Sequence, residues 1–312
     1  MPDCLTPRIF GKDGLKLVTV EDPSGELGAK ARDLLLLPGG EPQEEVFMAA
    51  VSEFNTYGEE LEARLLLKTS PIAIKMLKTE ADIPKGAMRP RKDTGSRLDL
   101  CQGFAMSRRE RAVVAMLKED HWCYVPVIAH GLAEPPDYVL EGNMDFPSRV
   151  ADQQAAKDLA KNSPRLEYGK YIGIVSAPLR RADFQPDLVA IYCNSAQLRC
   201  LLVGIRYKKG YQVTSTLEPG GACVQCTVPV LKTGECQVSL PCGGDRRNAL
   251  AQDDELIFSV PAHLMEDLMA GLRHFDEAGH GYTQLTPAMR VEPPLPTGYV
   301  KVGKMIGMDV HD

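Results

Sequence analysis

Twice in this chain a short aliphatic run passes directly into a helix-forming stretch, and that recurrence limits the fold more than any other feature. Leu188-Val189-Ala190-Ile191-Tyr192 runs into Cys193-Asn194-Ser195, after which Leu198, Leu201, Leu202 and Ile205 continue at helical spacing. Leu256-Ile257-Phe258-Ser259-Val260 leads through Pro261 to Leu264, Leu268, Leu272 and Phe275 in the same way. Runs this short predict strands, and the i, i+3, i+4 pattern predicts amphipathic helices packed upon them. The flanking chemistry agrees. Asn194 or Ser195 caps the first helix, and Pro261 suits the first turn of the second. Glu266 and Asp267 fall where the helix dipole favours acid, and Gly279 suits the exit. The recurrence reads as weak pseudo-symmetry, without a shared residue motif to mark a repeat.

Further strands are expected at Ile72–Leu77, Ala112–Leu117 and Tyr171–Val175. Phe47, Ala50, Val51, Phe54, Leu61 and Leu65 predict a helix from Gln43 to about Lys68, weakened locally by Gly58. Shorter helices are expected over Leu98–Met106, carrying Cys101, and over Ala151–Lys161. The predicted class is therefore mixed α/β (α+β), a mixed sheet with strand-helix units between extended arms. Residues 1–42 read as an N-terminal arm with a short strand at Lys16–Val20, residues 43–284 as the principal domain, and residues 285–312 as a Pro-rich arm. An arm of that kind has no core of its own, so it is expected to pack on this subunit or a neighbour, giving a homo-oligomer.

A net charge of −6 and a pI near 5.6 argue against a nucleic-acid partner. The clusters Arg89/Arg91/Lys92 and Arg108/Arg109/Arg111 read as solvated surface. No apolar run is long enough for a signal core or a membrane span, so a cytoplasmic location is expected. In that reducing compartment nine cysteines in 312 residues mean metal, redox chemistry or burial more often than disulfides.

Four of the nine lie close together, as Cys223, Cys226, Cys236 and Cys242, among Gly220-Gly221 and Gly243-Gly244. The spacing does not fit a zinc ribbon, which wants two close pairs, so zinc is the weaker expectation. A thioredoxin-like dithiol would need Cys223 at the start of a helix following a strand, and Glu218-Pro219-Gly220-Gly221 reads as turn. Asp253-Asp254-Glu255 is a magnesium candidate, although acids before a strand are usually solvated. No histidine pair, nucleophile elbow or phosphate-binding glycine loop is present. Local spacing leaves the compact set of four cysteines open as ligands, as buried apolar residues, or as nucleophiles.

Pro71-Ile72-Ala73-Ile74-Lys75, Leu100-Cys101-Gln102-Gly103, Cys123 with Gly131-Leu132, Ala177-Pro178-Leu179 and Asn194-Ser195-Ala196-Gln197 occur in an order that resembles the ArCR family of unknown function, DUF169. Val238-Ser239-Leu240-Pro241-Cys242-Gly243-Gly244-Asp245-Arg246 and Asp253-Asp254-Glu255 complete a likeness that covers roughly residues 43–274. The resemblance implies no activity, fold or cofactor. It does rank the cysteines, placing Cys101, Cys123, Cys223 and Cys242 in family-like segments.

Four thiolates from distant segments suit an iron-sulfur cluster of the [4Fe-4S] type, with the Gly243 and Gly244 amides on its sulfides and Arg246 setting the charge nearby. The expected function is then a thiolate-metal protein of anaerobic metabolism. It would act in electron transfer with a redox protein partner or support a cluster-dependent enzyme. Two alternatives stand beside it. One is an enzyme with a cysteine nucleophile and a small anionic ligand bound by Cys101, Asn194 and Arg246. The other is a non-catalytic ligand-binding or assembly protein.

Overall fold

The structure, a computed structural model of the chain, describes residues 42–283 and 295–308, together with an antiparallel pairing of β1 (Ile9–Phe10) with β2 (Leu17–Val18). The short strand expected at 16–20 is β2. The rest of the N-terminal arm, and Pro287, Pro293 and Pro294 of the C-terminal one, lie outside the described residues. The chain divides into two compact units, Met1–Tyr282 and Thr283–Asp312.

Six strands make the central sheet of the first unit: β3 (Ile72–Leu77), β4 (Val114–Leu117), β5 (Gly173–Pro178), β6 (Leu188–Cys193), β7 (Gln237–Ser239) and β8 (Leu256–Pro261), in the order β4-β5-β3-β6-β8-β7. All pairings among them are antiparallel, β3 meeting β5 from Ile72↔Pro178 to Leu77↔Gly173 and β6 meeting β8 from Leu188↔Pro261 to Cys193↔Leu256. Parallel geometry occurs in two isolated bridges, Met88↔Val114 and Leu98↔His121. The class is mixed α/β, as the alternation of strand and helix patterns predicts.

Helices cover both faces of this sheet, which is why its strands read as near-continuous apolar runs. On one face lie α1 (Pro42–Leu65), α6 (Ser195–Arg206) and α10 (Met265–Glu277). There Ala73, Leu77, Val175, Val189, Ile191, Phe258 and Val260 of the sheet meet Leu61 and Leu65 of α1, Leu201 of α6 and Leu268 of α10. The other face is covered by short helices: α2 (Leu100–Ala105), α3 (Tyr124–Ala129), α7 (Ala222–Gln225), α8 (Val228–Thr233) and α9 (Gly243–Asn248). Its core joins Ile72, Ile74, Met116, Ile174, Ala190 and Ile257 of the strands to Phe104, Val224 and Val228. Alternate residues of a strand point to opposite faces, so Tyr192 joins the short-helix side while Cys193 joins the other. Outside these layers α4 (Asp137–Leu140) and α5 (Gln153–Asn162) pack on each other.

The two strand-helix units β6-α6 and β8-α10 are therefore neighbours with antiparallel strands and abutting helices. Their helices come so close that a Cβ on Gly271 would overlap the carbonyl of Gly204. Gly58 has a similar reason to be glycine. A Cβ there would lie 2.5 Å from the backbone nitrogen of Arg180, so what reads as a weak point in α1 is where the helix admits another stretch of backbone. The second unit contributes α11 (Thr297–Met305), described by itself.

Candidate functional site

The short-helix face collects the thiols. Asp99 caps α2 in a reciprocal capping box, its N–H donating to Gln102 Oε1 at 2.8 Å. That arrangement places Cys101 in the first turn, pointing into the core. Cys223 enters from α7 and Cys242 from the cap of α9. A carboxylate oxygen of Asp99 and the sulfurs of Cys101 and Cys223 lie within 4.8 Å of one another. Cys223 and Cys242 are the two groups that most raise Cys101. Cys123, at the cap of α3, is half-buried and lies close enough to Asp99 for the two to influence each other's titration. Two thiols and one carboxylate thus meet at one place, with Cys242 and Cys123 near enough to influence them.

The environment separates these thiols electrically. The hydrogen bond from Cys101, joined by backbone N–H groups of Ala222, Asp245 and Gly244, holds Cys242 down to about 5, while burial works the other way. The Asp245 N–H donates to its sulfur at 3.4 Å. Hydrogen bonding to Cys223 and Cys242, with burial, keeps Cys101 well above the ordinary thiol range. Burial, with the Asp99 charge beside it, pushes Cys123 up to about 12. The site therefore carries one ready thiolate and several thiols that give up a proton only in exchange for a cation. Asp99 is itself raised, chiefly by burial and further by Cys242, and its Oδ1 has no hydrogen-bond partner.

Beneath Cys242 runs a buried polar chain. Arg108 is fully enclosed, donates to Glu255 at 2.9 and 3.2 Å, and lies 3.8 Å over the Tyr192 ring. The Tyr192 hydroxyl donates to Asp245 Oδ2 at 2.9 Å. Burial lifts Asp245 to about 7, against that hydrogen bond. Two expectations are corrected here. The Arg108 cluster and the Asp253–Glu255 stretch read as solvated charge, but Arg108 and Glu255 form a buried pair, bidentate as a guanidinium and a carboxylate allow. Arg89 is likewise paired, at 2.7 Å with fully buried Asp120.

The other residues singled out from sequence fall as follows. Gly243 and Gly244 open α9 beside Cys242. Arg246 is half-exposed and ion-paired with Asp253. Asn194 spends its side chain as the cap of α6, accepting from Gln197 N at 2.9 Å. Cys226 is buried next to Cys223, donating to its carbonyl at 3.6 Å. Cys236 and Cys193 belong to the core on the opposite face of the sheet. The compact set Cys223, Cys226, Cys236, Cys242 is thus split by the sheet itself. Cys223 does lie in the first turn of a helix, α7, but a loop and not a strand precedes it. Asp99 went unnoticed in the sequence because a capping aspartate looks the same beside a thiol cluster as anywhere else.

No helix among the described residues is long and apolar enough to cross a membrane. No solved structure matches the chain. An uncharacterized protein of Methanocaldococcus jannaschii, MJ0308, is 24% identical over 228 residues, covering 72% of this chain and 96% of its own length. The model of the uncharacterised ArCR family, DUF169, matches residues 60–271, a span that takes in the sheet and all four of these thiols, and the chain belongs to that family.

Proposed function

We propose that this is a thiolate-metal protein whose centre is held by Cys101, Cys123, Cys223 and Cys242, with Asp99 at its edge. The observation that carries the reading is the approach of the buried Cys101 and Cys223 sulfurs to within 4.8 Å of each other and of an Asp99 carboxylate oxygen, in a carboxylate whose Oδ1 has no hydrogen-bond partner, with Cys123 and Cys242 supplied by the caps of α3 and α9. Buried polar atoms left unpaired are costly, and a soft cation would satisfy sulfur and oxygen together. Cys101, Cys223 and an Asp99 oxygen, all within 4.8 Å of one another, are close enough to serve one ion. Thiolates at about 2.3 Å from one tetrahedral ion stand roughly 3.8 Å apart, whereas each thiolate of an iron-sulfur cube takes its own iron and stands farther from the next. A single soft divalent ion, zinc or iron, is therefore preferred to the [4Fe-4S] cluster, which the number of thiols also supports.

Metal and acid-labile sulfide assayed on anaerobically purified protein test this. A single ion gives metal without sulfide, and a cluster gives both with a brown colour. Cys101→Ala and Cys223→Ala should lose most of the metal, while Cys193→Ala and Cys236→Ala should keep it. Absence of metal from the wild type, with no uptake of added Co2+, would remove the reading.

A second reading, the cysteine nucleophile, is favoured by the low position of Cys242. Metal-free protein alkylated by iodoacetamide at pH 6, selectively at Cys242, would support it. Homo-oligomerisation has one observation behind it: Tyr299, Val302 and Met305 recur at helical spacing on α11 and, with Ile306 at its C-cap, are all exposed, an apolar stripe of the kind that a partner covers.

A further inference from the structure

By spacing alone, Cys223 and Cys226 are the cysteines that would oxidise together, but the structure gives Cys223 a different neighbour. The Cys226 thiol is turned to a backbone group, donating to the Cys223 carbonyl at 3.6 Å. The sulfur that approaches Cys223 comes from Cys101, in the first turn of α2. These two sulfurs and an Asp99 carboxylate oxygen lie within 4.8 Å of one another, and α2 packs against α7. An S–S bond is about 2.0 Å long, and rotation between staggered side-chain positions moves a cysteine sulfur through a distance of the order still to be closed. Cys193, Cys200 and Cys236 belong to the layer on the far side of the sheet. Near the Cys101–Cys223 pair the short-helix layer is opened by glycine. Gly243 is exposed and Gly244 partly so. A methyl group built on Gly244 would stand 3.6 Å from Asp99 Oδ2 and 3.6 Å from Cys242 Sγ. The missing side chain therefore leaves a methyl-sized notch against the same carboxylate that both sulfurs approach.

We propose that Cys101 and Cys223 form an oxidation site for a small hydroperoxide, which enters at Gly244 and leaves the two sulfurs joined as a disulfide. This goes beyond the metal-centre reading and does not rest on it, since the reaction needs both thiols free. One sulfur attacks the terminal peroxide oxygen, and the O–O bond breaks. The other oxygen leaves with the thiol proton, as water from hydrogen peroxide or as an alcohol from an alkyl hydroperoxide, and the attacking sulfur becomes a sulfenic acid. The second sulfur attacks the sulfenic sulfur, the S–O bond breaks, and the hydroxyl leaves as water with the second thiol proton. The two thiols lose two electrons and the hydroperoxide gains them. Size sets the class of oxidant. Both sulfurs are 2% exposed, so a bulky disulfide such as oxidised glutathione does not reach them, whereas a peroxide passes where a methyl group would fit.

The test uses the full chain, treated with a chelator under anaerobic conditions, exposed to hydrogen peroxide, then unfolded, alkylated and mapped by mass spectrometry without reduction. The first cross-link to appear should join the peptide of Cys101 to that of Cys223. Cys226→Ser should leave that link and its rate unchanged. Gly244→Ala, whose methyl makes only ordinary contacts with Asp99 and Cys242, should stay folded by its melting temperature and form the link about fivefold more slowly. Oxidised glutathione at the same concentration should form it more slowly than peroxide does. A first link from Cys223 to Cys226, or no link to Cys101 while other thiols oxidise, would overturn the inference. So would an undiminished rate in folded Gly244→Ala, or glutathione matching peroxide. A parallel arm with added Co2+ keeps the two readings apart. A link that forms equally fast with and without Co2+ would count against the metal centre and leave the oxidation site standing, whereas cobalt uptake by a chain that never forms the link would do the reverse.

Discussion

Cys193 and Cys242 are both enclosed in the same domain, one on each side of one sheet, and nothing in their residue type distinguishes them. Cys193 belongs to the core with Ile191, Leu201 and Phe258 under the long helices, and burial, with the Glu255 charge adding to it, drives it up to about 12. Cys242 sits among other thiols, backbone N–H groups and Asp245 under the short helices and is held down to about 5. The difference comes from what covers each face. Long amphipathic helices satisfy their own backbone and present only apolar side chains. Short helices are mostly ends, and helix ends leave N–H groups unpaired for a sulfur to use. The long-helix face therefore treats cysteine as a small hydrophobe, and the short-helix face gives it chemistry.

The strongest way to break the short-helix face is to remove one partner of its buried ion pair. Arg108→Met would leave the enclosed Glu255 carboxylate with only the more distant Arg109, at 4.0 Å, as counter-charge and Tyr192 without the guanidinium stacked on it. Loss of one member of a buried pair costs about 3–5 kcal/mol, so the chain should melt far below the wild type. The double variant Arg108→Met/Glu255→Leu should recover much of that loss. A double variant no more stable than the single one would mean that the pair does not carry the effect.

The next largest effect is a pH dependence that has opposite sign on the two faces. Cys242 is depressed in the folded state, so its contribution is full above the ordinary thiol range near 8.5 and is lost as pH falls through about 5. Cys193 is raised, so its contribution is full below that range and is lost as pH rises toward about 12. Metal-free protein should therefore lose on the order of 2–4 kcal/mol between pH 9 and pH 5 through Cys242. Urea unfolding of Cys242→Ser should lack that slope, and an identical slope in the variant would assign it elsewhere.

A smaller effect separates the faces from the other side. Gly271→Ala forces a methyl against the Gly204 carbonyl where α10 crosses α6, and overpacking of this kind costs about 1–3 kcal/mol. Because no thiol of the cluster lies on that face, metal or Co2+ uptake below the melting range should match the wild type. Reduced uptake at full folding would show that the two layers are coupled through the sheet.

These contrasts also explain what could be read from the chain beforehand. The strands were legible because a sheet covered on both sides needs near-continuous apolar residues, as in Leu188–Cys193 and, but for Lys75, in Ile72–Leu77. The helices α6 and α10 were legible from their spacing and from Asn194 at the cap. Cys101, Cys123, Cys223 and Cys242 could be ranked by the family likeness but not placed together, because the elements that bring them near one another are separated in sequence. Asp99, Arg108 and Glu255 were not legible as buried. Charged side chains read as exposed by type, and only the three-dimensional pairing distinguishes Arg108 from the exposed Arg111. Cys226 shows the converse, since a C-x-x-C spacing looks like a functional pair although its second sulfur points to a carbonyl.

The smallest expected effect is at Arg246, two residues from Gly244 and four from Cys242, which makes it a sharp test of proximity in sequence against proximity in space. Its guanidinium is half-exposed and pairs with Asp253, which is almost wholly exposed. An ion pair of that kind contributes about 0–1 kcal/mol and is screened by salt. The backbone N–H groups that Cys242 uses belong to Ala222, Asp245 and Gly244, and none of them is lost when the Arg246 side chain changes. Arg246→Leu should therefore leave metal content intact and move the melting temperature by no more than a few degrees. It should also weaken binding of an added anion only at low ionic strength. If Arg246→Leu instead shed the metal while Arg108→Lys kept it, the charge that matters to the thiols would lie at the surface, and the assignment of the buried chain beneath Cys242 would have to be reversed.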